Sequence, residues 1–282
     1  MSARDLCESA RPPRRRRQAR RHRTPHPLTG TLAVAAHLLF ILSACSHIPR
    51  VDTSDADRAR ELVADCVEAH GGMTAWLALG DIQTRIVDRW SSEAIAPEAP
   101  GDPLFTYNVS LNKGLASFDE AADLWGFDSV EAWALVEGEA GPAPRPDFVP
   151  TYGYFLSLPF KFLDPGLLYS YAGRHERDGG EVEQVLVSFD PSISADRYLL
   201  SIDAETHQLR EIRFTFRDMS RLIELEATLD WQRTGEVLLP ERLDIQLIRP
   251  LSRSMHVISF VDLSVTDDFD RDRYEKPLPG AP

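Results

Sequence analysis

Cysteine is scarce in this chain. Cys7, Cys45 and Cys66 are all that its 282 residues contain, which excludes a disulfide-stapled scaffold. Long apolar runs are absent as well: the longest, within residues 31–45, has about 14 residues, short of the ~20 that cross a bilayer as a helix. Basic side chains are few after residue 45, where 22 Lys and Arg stand against 42 Asp and Glu, a charge of −20. A body that acidic repels a phosphate backbone, so no nucleic-acid partner is expected. There is no Gly-x-Ser-x-Gly turn for a nucleophile and no glycine loop to cradle phosphate. Hydrolase and nucleotide-binding readings therefore find no support, and no catalytic residues are expected. Beyond residue 45 the histidines are His47, His70, His175, His207 and His256, none at metal-ligand spacing from another His or Cys. No metal and no cofactor are expected. His70, just ahead of Gly71-Gly72, reads as a helix C-terminal residue whose partial positive charge suits the helix dipole.

What is present begins with an address. Residues 1–45 hold nine Arg and only Asp5 and Glu8, and the basic stretch 11–23 precedes the apolar run. That order, charged then apolar then small residues, is an export signal. Leu42-Ser43-Ala44-Cys45 looks like a bacterial lipobox, in which the Cys45 sulfur accepts diacylglycerol and the chain is cut before it. Residues 1–44 are then a lipoprotein signal peptide, 45–54 a lipidated tether, 55–270 the folded body and 271–282 a C-terminal tail. A three-chain anchor exceeds the two-signal threshold for stable attachment, so the membrane is an expected partner through the lipid. Ser46 stands where an inner-membrane retention signal would have Asp. The expected location is the cell envelope, facing the periplasm, with the outer membrane favoured. With Cys7 removed and Cys45 modified, Cys66 is alone and no intramolecular disulfide is possible.

The body opens with helix and continues as strand. Ser54 can cap a helix whose apolar positions Ala59, Leu62, Val63, Cys66 and Val67 recur at three- and four-residue spacing, and Gly71-Gly72 stops it. A short helical piece follows at residues 74–79. From Gly80 onward the period changes to two. Phe105, Tyr107, Val109 and Leu111 alternate with polar neighbours, as do Ile212, Phe214 and Phe216, then Leu243, Ile245 and Leu247. The clearest run sets Ile223, Leu225, Ala227, Leu229 and Trp231 against Glu224, Glu226, Thr228, Asp230 and Gln232. One wet face and one apolar face define an antiparallel sheet, and the short turns between runs make it a meander. The proline-rich link 141–146 leads into the most aromatic stretch of the chain, residues 148–166, with room for a helical turn before Pro159.

The fold expected is α+β and mostly β: a curved antiparallel sheet of about ten strands, an open half-barrel wrapped around an N-terminal helix. One helix and a short piece are too little to cover so wide a concave face, since a helix is only ~10 Å across. An interior left partly unfilled and lined by rings is a natural place for a hydrophobic ligand, and Trp76, Trp90, Trp125, Phe155, Phe160 and Phe162 are the candidates to line it. Lys161 and Asp164, between Pro159 and Pro165, are placed to pair beside that interior.

Five segments also carry a resemblance. They are Ala69-His70-Gly71-Gly72 with Trp76, Gly126-Phe127-Asp128 with Ala132-Trp133, Leu158-Pro159-Phe160-Lys161-Phe162-Leu163-Asp164-Pro165-Gly166, Asp196-Arg197-Tyr198, and Ile202-Asp203-Ala204-Glu205-Thr206. Together they resemble a family of exported bacterial proteins similar to the LolA/LolB-like outer-membrane lipoprotein-carrier superfamily, over residues 55–265. The resemblance implies a curved sheet around helices with a cavity for acyl chains, and a role in moving or sensing lipoproteins or lipids. It brings no catalytic residues. A soluble carrier has no lipobox, so Cys45 sets this chain nearer an anchored acceptor. Two alternatives stand beside the carrier: a stress-sensing or interaction lipoprotein of the same fold with a filled core, and a periplasmic enzyme with polar groups converging inside the sheet.

Overall fold

The helical periodicity at the start of the body is realised as α1 (Ala56–Ala69), which buries Ala59, Leu62, Val63, Cys66 and Val67 on one face. It ends because Gly71 and Gly72 take φ of +113° and +80°. A side chain at Gly71 would put its Cβ 2.5 Å from the Glu236 carbonyl oxygen, so only glycine lets this corner approach the sheet. The short α2 (Gly72–Leu77) follows. These features come from a computed structural model that describes residue 48 and residues 55–92, 101–119, 123–177, 179–190, 192, 196–215, 223–266 and 271–277. The expected signal peptide (1–44), Cys45 and all of the expected tether (45–54) except Ile48 lie outside the described residues.

Beyond α2 the chain is nearly all strand. The first six strands are β1 (Asp81–Trp90), β2 (Leu104–Asn108), β3 (Lys113–Phe118), β4 (Asp123–Phe127), β5 (Ala132–Val136) and β6 (Glu139–Pro142). Then come α3 (Phe148–Leu156) and a 3-10 turn (Phe160–Leu163). Seven more strands complete the sheet: β7 (Leu167–Arg177), β8 (Gly180–Phe189), β9 (Arg197–Asp203), β10 (Leu209–Thr215), β11 (Glu224–Thr234), β12 (Val237–Arg249) and β13 (Arg253–Thr266). A second 3-10 turn spans Arg271–Tyr274.

All thirteen strands form one antiparallel sheet in the order β6-β5-β4-β3-β2-β1-β13-β12-β11-β10-β9-β8-β7. Two meanders are sewn together at its centre, where β1 pairs with β13. The sheet is curved and not closed; β6 and β7 are its edges. Since those edges are consecutive in sequence, the segment 143–166 must travel from one to the other, and it does so across the concave face. There α3 packs against β3, β4 and β12, and α1 against β7 and β8. The main core lies between the helices and that face.

Thirteen strands replace the expected ten or so for definite reasons. β3 is buried on both faces, so Lys113-Gly-Leu-Ala-Ser-Phe118 shows no polar alternation. β6 is a four-residue edge strand carrying Glu139 and Pro142, residues that suit an edge and hide a strand signal. β2 stops at Asn108 rather than running to Leu111, because the Asn108 side-chain oxygen accepts the Leu111 N–H at 2.9 Å and closes a turn. A full helix, α3, stands where one helical turn was anticipated. It buries Phe148, Val149, Tyr152, Gly153, Phe155 and Leu156, apolar on too many sides to show a period. Tyr274, in the segment read as a tail, is fully buried against Leu115 and Trp133 on the convex face. No helix among the described residues is long and apolar enough to cross a membrane.

Candidate ligand-binding interior

The concave face is built by alternation: Ile82 and Ile86 from β1, Ala116 and Phe118 from β3, Leu225, Ala227 and Leu229 from β11, and Ile258 and Phe260 from β13 all enter one core. Against it lie α1, α3 and the 3-10 turn. Five of the six expected lining rings are there, and each is packed against something. Trp76 stacks flat on Phe160, centroids 4.5 Å apart and planes at 2°. Trp125 sits beneath the start of α3, edge-on to Phe148 at 5.3 Å and tilted against Phe118 at 4.6 Å. Phe155 and Phe162 border a small void with Tyr154, Leu158, Tyr198 and Ile212.

That void measures about 10 Å³. One water needs roughly this much, whereas a dry cavity that admits benzene is about 150 Å³. The expected shortage of helices to cover the concave face is corrected by the structure. Segment 143–166 supplies a third helix and a 3-10 turn, and their aromatic side chains pack into the core on the concave face.

Trp90 departs from the apolar set. It is half-buried at the end of β1, where its indole N–H donates to Asp88 Oδ2 at 2.9 Å and its ring stacks on His256 at 4.0 Å. The same carboxylate accepts the Tyr152 hydroxyl at 2.7 Å and faces His256 Nδ1 at 2.8 Å. Asp88 therefore ties α3 to the central seam of the sheet. No feature of the sequence marks this cluster, because Tyr152 and His256 lie 64 and 168 residues from Asp88. A second tie runs from Tyr154 of α3 to Tyr198 of β9; burial and this contact push the Tyr154 phenol well above its ordinary value.

Among the described residues, Trp125 Nε1 and His70 Nε2 on the concave side are buried without a hydrogen-bond partner. His70 is placed at the C-terminus of α1 as expected, but not as a charge. Its Nδ1–H donates to the Cys66 carbonyl at 2.7 Å, its ring meets Trp231 edge-on at 4.3 Å, and burial lowers its pKa to about 4. Desolvation outweighs the helix dipole here, since the dipole contributes only about 0.3–1 kcal/mol. Lys161 and Asp164 do pair, at 3.3 Å. Asp203 Oδ1 accepts the N–H groups of Glu205 and Thr206, which explains the Asp-x-x-Thr turn of the resembling segments.

No protein-family model and no curated protein matches the chain. Solved structures do. A Vibrio parahaemolyticus domain described as belonging to outer membrane lipoprotein sorting superposes with a TM-score of 0.54, at 12% identity, over 79% of this chain and 98% of that one. A LolA superfamily protein from Nitrosomonas europaea gives 0.50, at 11% identity, over 77% and 97%. With one unclosed antiparallel sheet curved around helices, the chain has a LolA-like fold.

Proposed function

We propose that this protein is a lipid-anchored envelope protein that binds a hydrophobic ligand, a lipid or the acyl chains of a lipoprotein, inside its half-barrel, and that it does so without catalysis. The observation that carries this reading is the nature of the cover. One segment, running between the two free edges of the sheet, lays rings on the concave face and is tied to it by the Tyr152–Asp88 hydrogen bond. Lifting α3 would uncover an apolar trough without breaking any strand pair. Trp125 Nε1, buried and unpartnered, would then offer a donor to the carbonyl of an acyl ester or amide. The shared fold with a lipoprotein-sorting domain supports the same class of ligand. Anchoring rests on Cys45, and Ser46 favours the outer membrane.

The test pairs mass spectrometry of protein purified from its native host with titration by a fluorescent fatty acid. Tyr152→Phe removes one tie on α3. A hydrogen bond to a carboxylate contributes about 1.5–3 kcal/mol, so the variant should bind the probe at least about ten-fold more tightly. The small void favours a second reading, the filled-core interaction or stress-sensing lipoprotein. Protein that carries no lipid, with neither form taking up the probe, would decide for that second reading. Palmitate labelling of the wild type and of Cys45→Ser checks the anchor, which predicts label in the first alone.

A further inference from the structure

Ile48 is the one described residue of the tether, and it is not free. Only 1% exposed, it packs on Leu186 of β8 and Leu199 of β9, with Ala172 of β7 beside them. These three belong to the convex face, because their neighbours Val185, Val187 and Leu200 enter the concave core. Arg197 of β9 donates from Nη1 to the Ile48 carbonyl at 2.8 Å. Ile48 is therefore fastened to the back of the sheet by its side chain and by its backbone carbonyl.

The position of the fastening sets a length. An unfastened tether from Cys45 to Asp55 would have ten residue steps and a reach of about 35 Å. From Ile48 only three steps remain, a reach of about 11 Å. We infer that the lipid anchor is a short leash, holding the convex face over β8 and β9 against the bilayer and turning the helices on the concave face away from it. The surface so assigned is a membrane-apposed one, and its partner is the lipid surface in which the anchor sits. Any exchange of ligand through α3 then takes place on the side open to the periplasm, with a partner that comes to it. This rests on the anchored reading of Cys45 given above.

The experiment uses the lipidated protein in phosphatidylethanolamine and phosphatidylglycerol vesicles that contain a headgroup-quencher lipid. A fluorophore is placed at Leu168→Cys, on the convex face of β7, or at Leu77→Cys, exposed on α2. Cys66 is buried and its thiol pKa is pushed up by burial, so it will not compete for the label. Quenching should be several-fold stronger at residue 168 than at residue 77. Ile48→Asp, in a small cluster apart from the main core, should keep the fold and bring the two positions close together. Equal quenching in palmitate-labelled protein with Ile48 intact would overturn the leash and leave the anchor standing. Failure of Cys45 to take palmitate would remove both.

Discussion

The two faces of the sheet bury their apolar residues by different means. The concave face is covered by three helices and a 3-10 turn that share one apolar core with it. The convex face carries charged side chains in most places, and the structure shows two apolar patches on it, each covered by a piece of chain near a terminus. Ile48 covers Leu186 and Leu199; Tyr274 covers Leu115 and Trp133, with Lys113–Glu275 and Lys276–Glu131 ion pairs alongside. A wide twisted sheet must hide one face entirely, but the other needs cover only where strands are apolar on both sides. The inner cover is therefore the candidate for movement, since it is one segment between two edges, whereas the outer straps are fixed locally.

The largest effect should come from the corner between α1 and α2. Gly71→Ala puts a Cβ 2.5 Å from the Glu236 oxygen at a φ of +113°, and the clash is with backbone, which cannot swing aside. The same corner supports the Leu238 N–H to His70 carbonyl bond at 2.9 Å. A loss of about 3–4 kcal/mol is expected, read as a lower urea midpoint. A midpoint unchanged within error would mean that α1 and α2 are not docked on β12 as described.

His70 gives the next effect, and it depends on pH. The unfolded chain takes up a proton near pH 6.5, while the folded chain resists until about pH 4. Between those values the unfolded state binds more protons, so stability falls as pH falls, by about 3 kcal/mol in total. His70→Gln should lose the ring packing on Trp231 at pH 7 yet show a flatter acid limb. The decisive quantity is the wild-type minus variant stability across pH 4 to 7; a constant difference would exclude a buried neutral imidazole.

A matched pair then separates the faces directly. Gly126→Ala would place a Cβ 2.2 Å from the Trp133 ring on the convex side, and Gly153→Ala one 2.6 Å from the Tyr107 ring on the concave side. Each should cost about 1–3 kcal/mol by overpacking, the second less because alanine favours a helix. Only Gly153→Ala should change fatty-acid probe binding, because it pushes α3 off β2. If Gly126→Ala changed binding as much, the division of labour between the faces would be lost.

How far the sequence shows this division follows from the same physics. Strands such as β11 are legible because one face is wet: Leu225, Ala227 and Leu229 point inward while Thr228 and Asp230 point out. The helix α1 is legible because its five buried positions keep a helical period. β3 is not, since Leu115 is covered by Tyr274, some 160 residues away, and no local pattern announces that. The helix of the inner cover shows no period for the opposite reason, being apolar on nearly every side. The six expected rings show the limit well: five are interior, as their size suggests, but Trp90 joins a polar cluster whose other members no spacing predicts. Ring residues report burial; what they are buried against is tertiary.

The smallest predicted effect lies on the convex face and has the opposite sign to that of His70. Glu211 of β10 is partly buried beside Glu226, and burial first, then the neighbouring carboxylate, raise its pKa from 4.5 to about 7. Arg213 already pairs with Glu226, at 2.5 Å, so it offers Glu211 incomplete relief. A folded value above the unfolded one means that the native state holds the proton longer. The site's contribution is fully present below pH 4.5 and is lost as pH rises through 7. Glu211→Gln, permanently neutral, should match the wild type at pH 4.5 and exceed it by about 1 kcal/mol at pH 8, once solvent screening is allowed for. Measured together, the two sites should give curves that bend in opposite directions, the inner face failing in acid and the outer face in base. A Glu211→Gln curve that ran parallel to the wild type from pH 4.5 to 8 would show that this carboxyl ionises as freely in the fold as outside it.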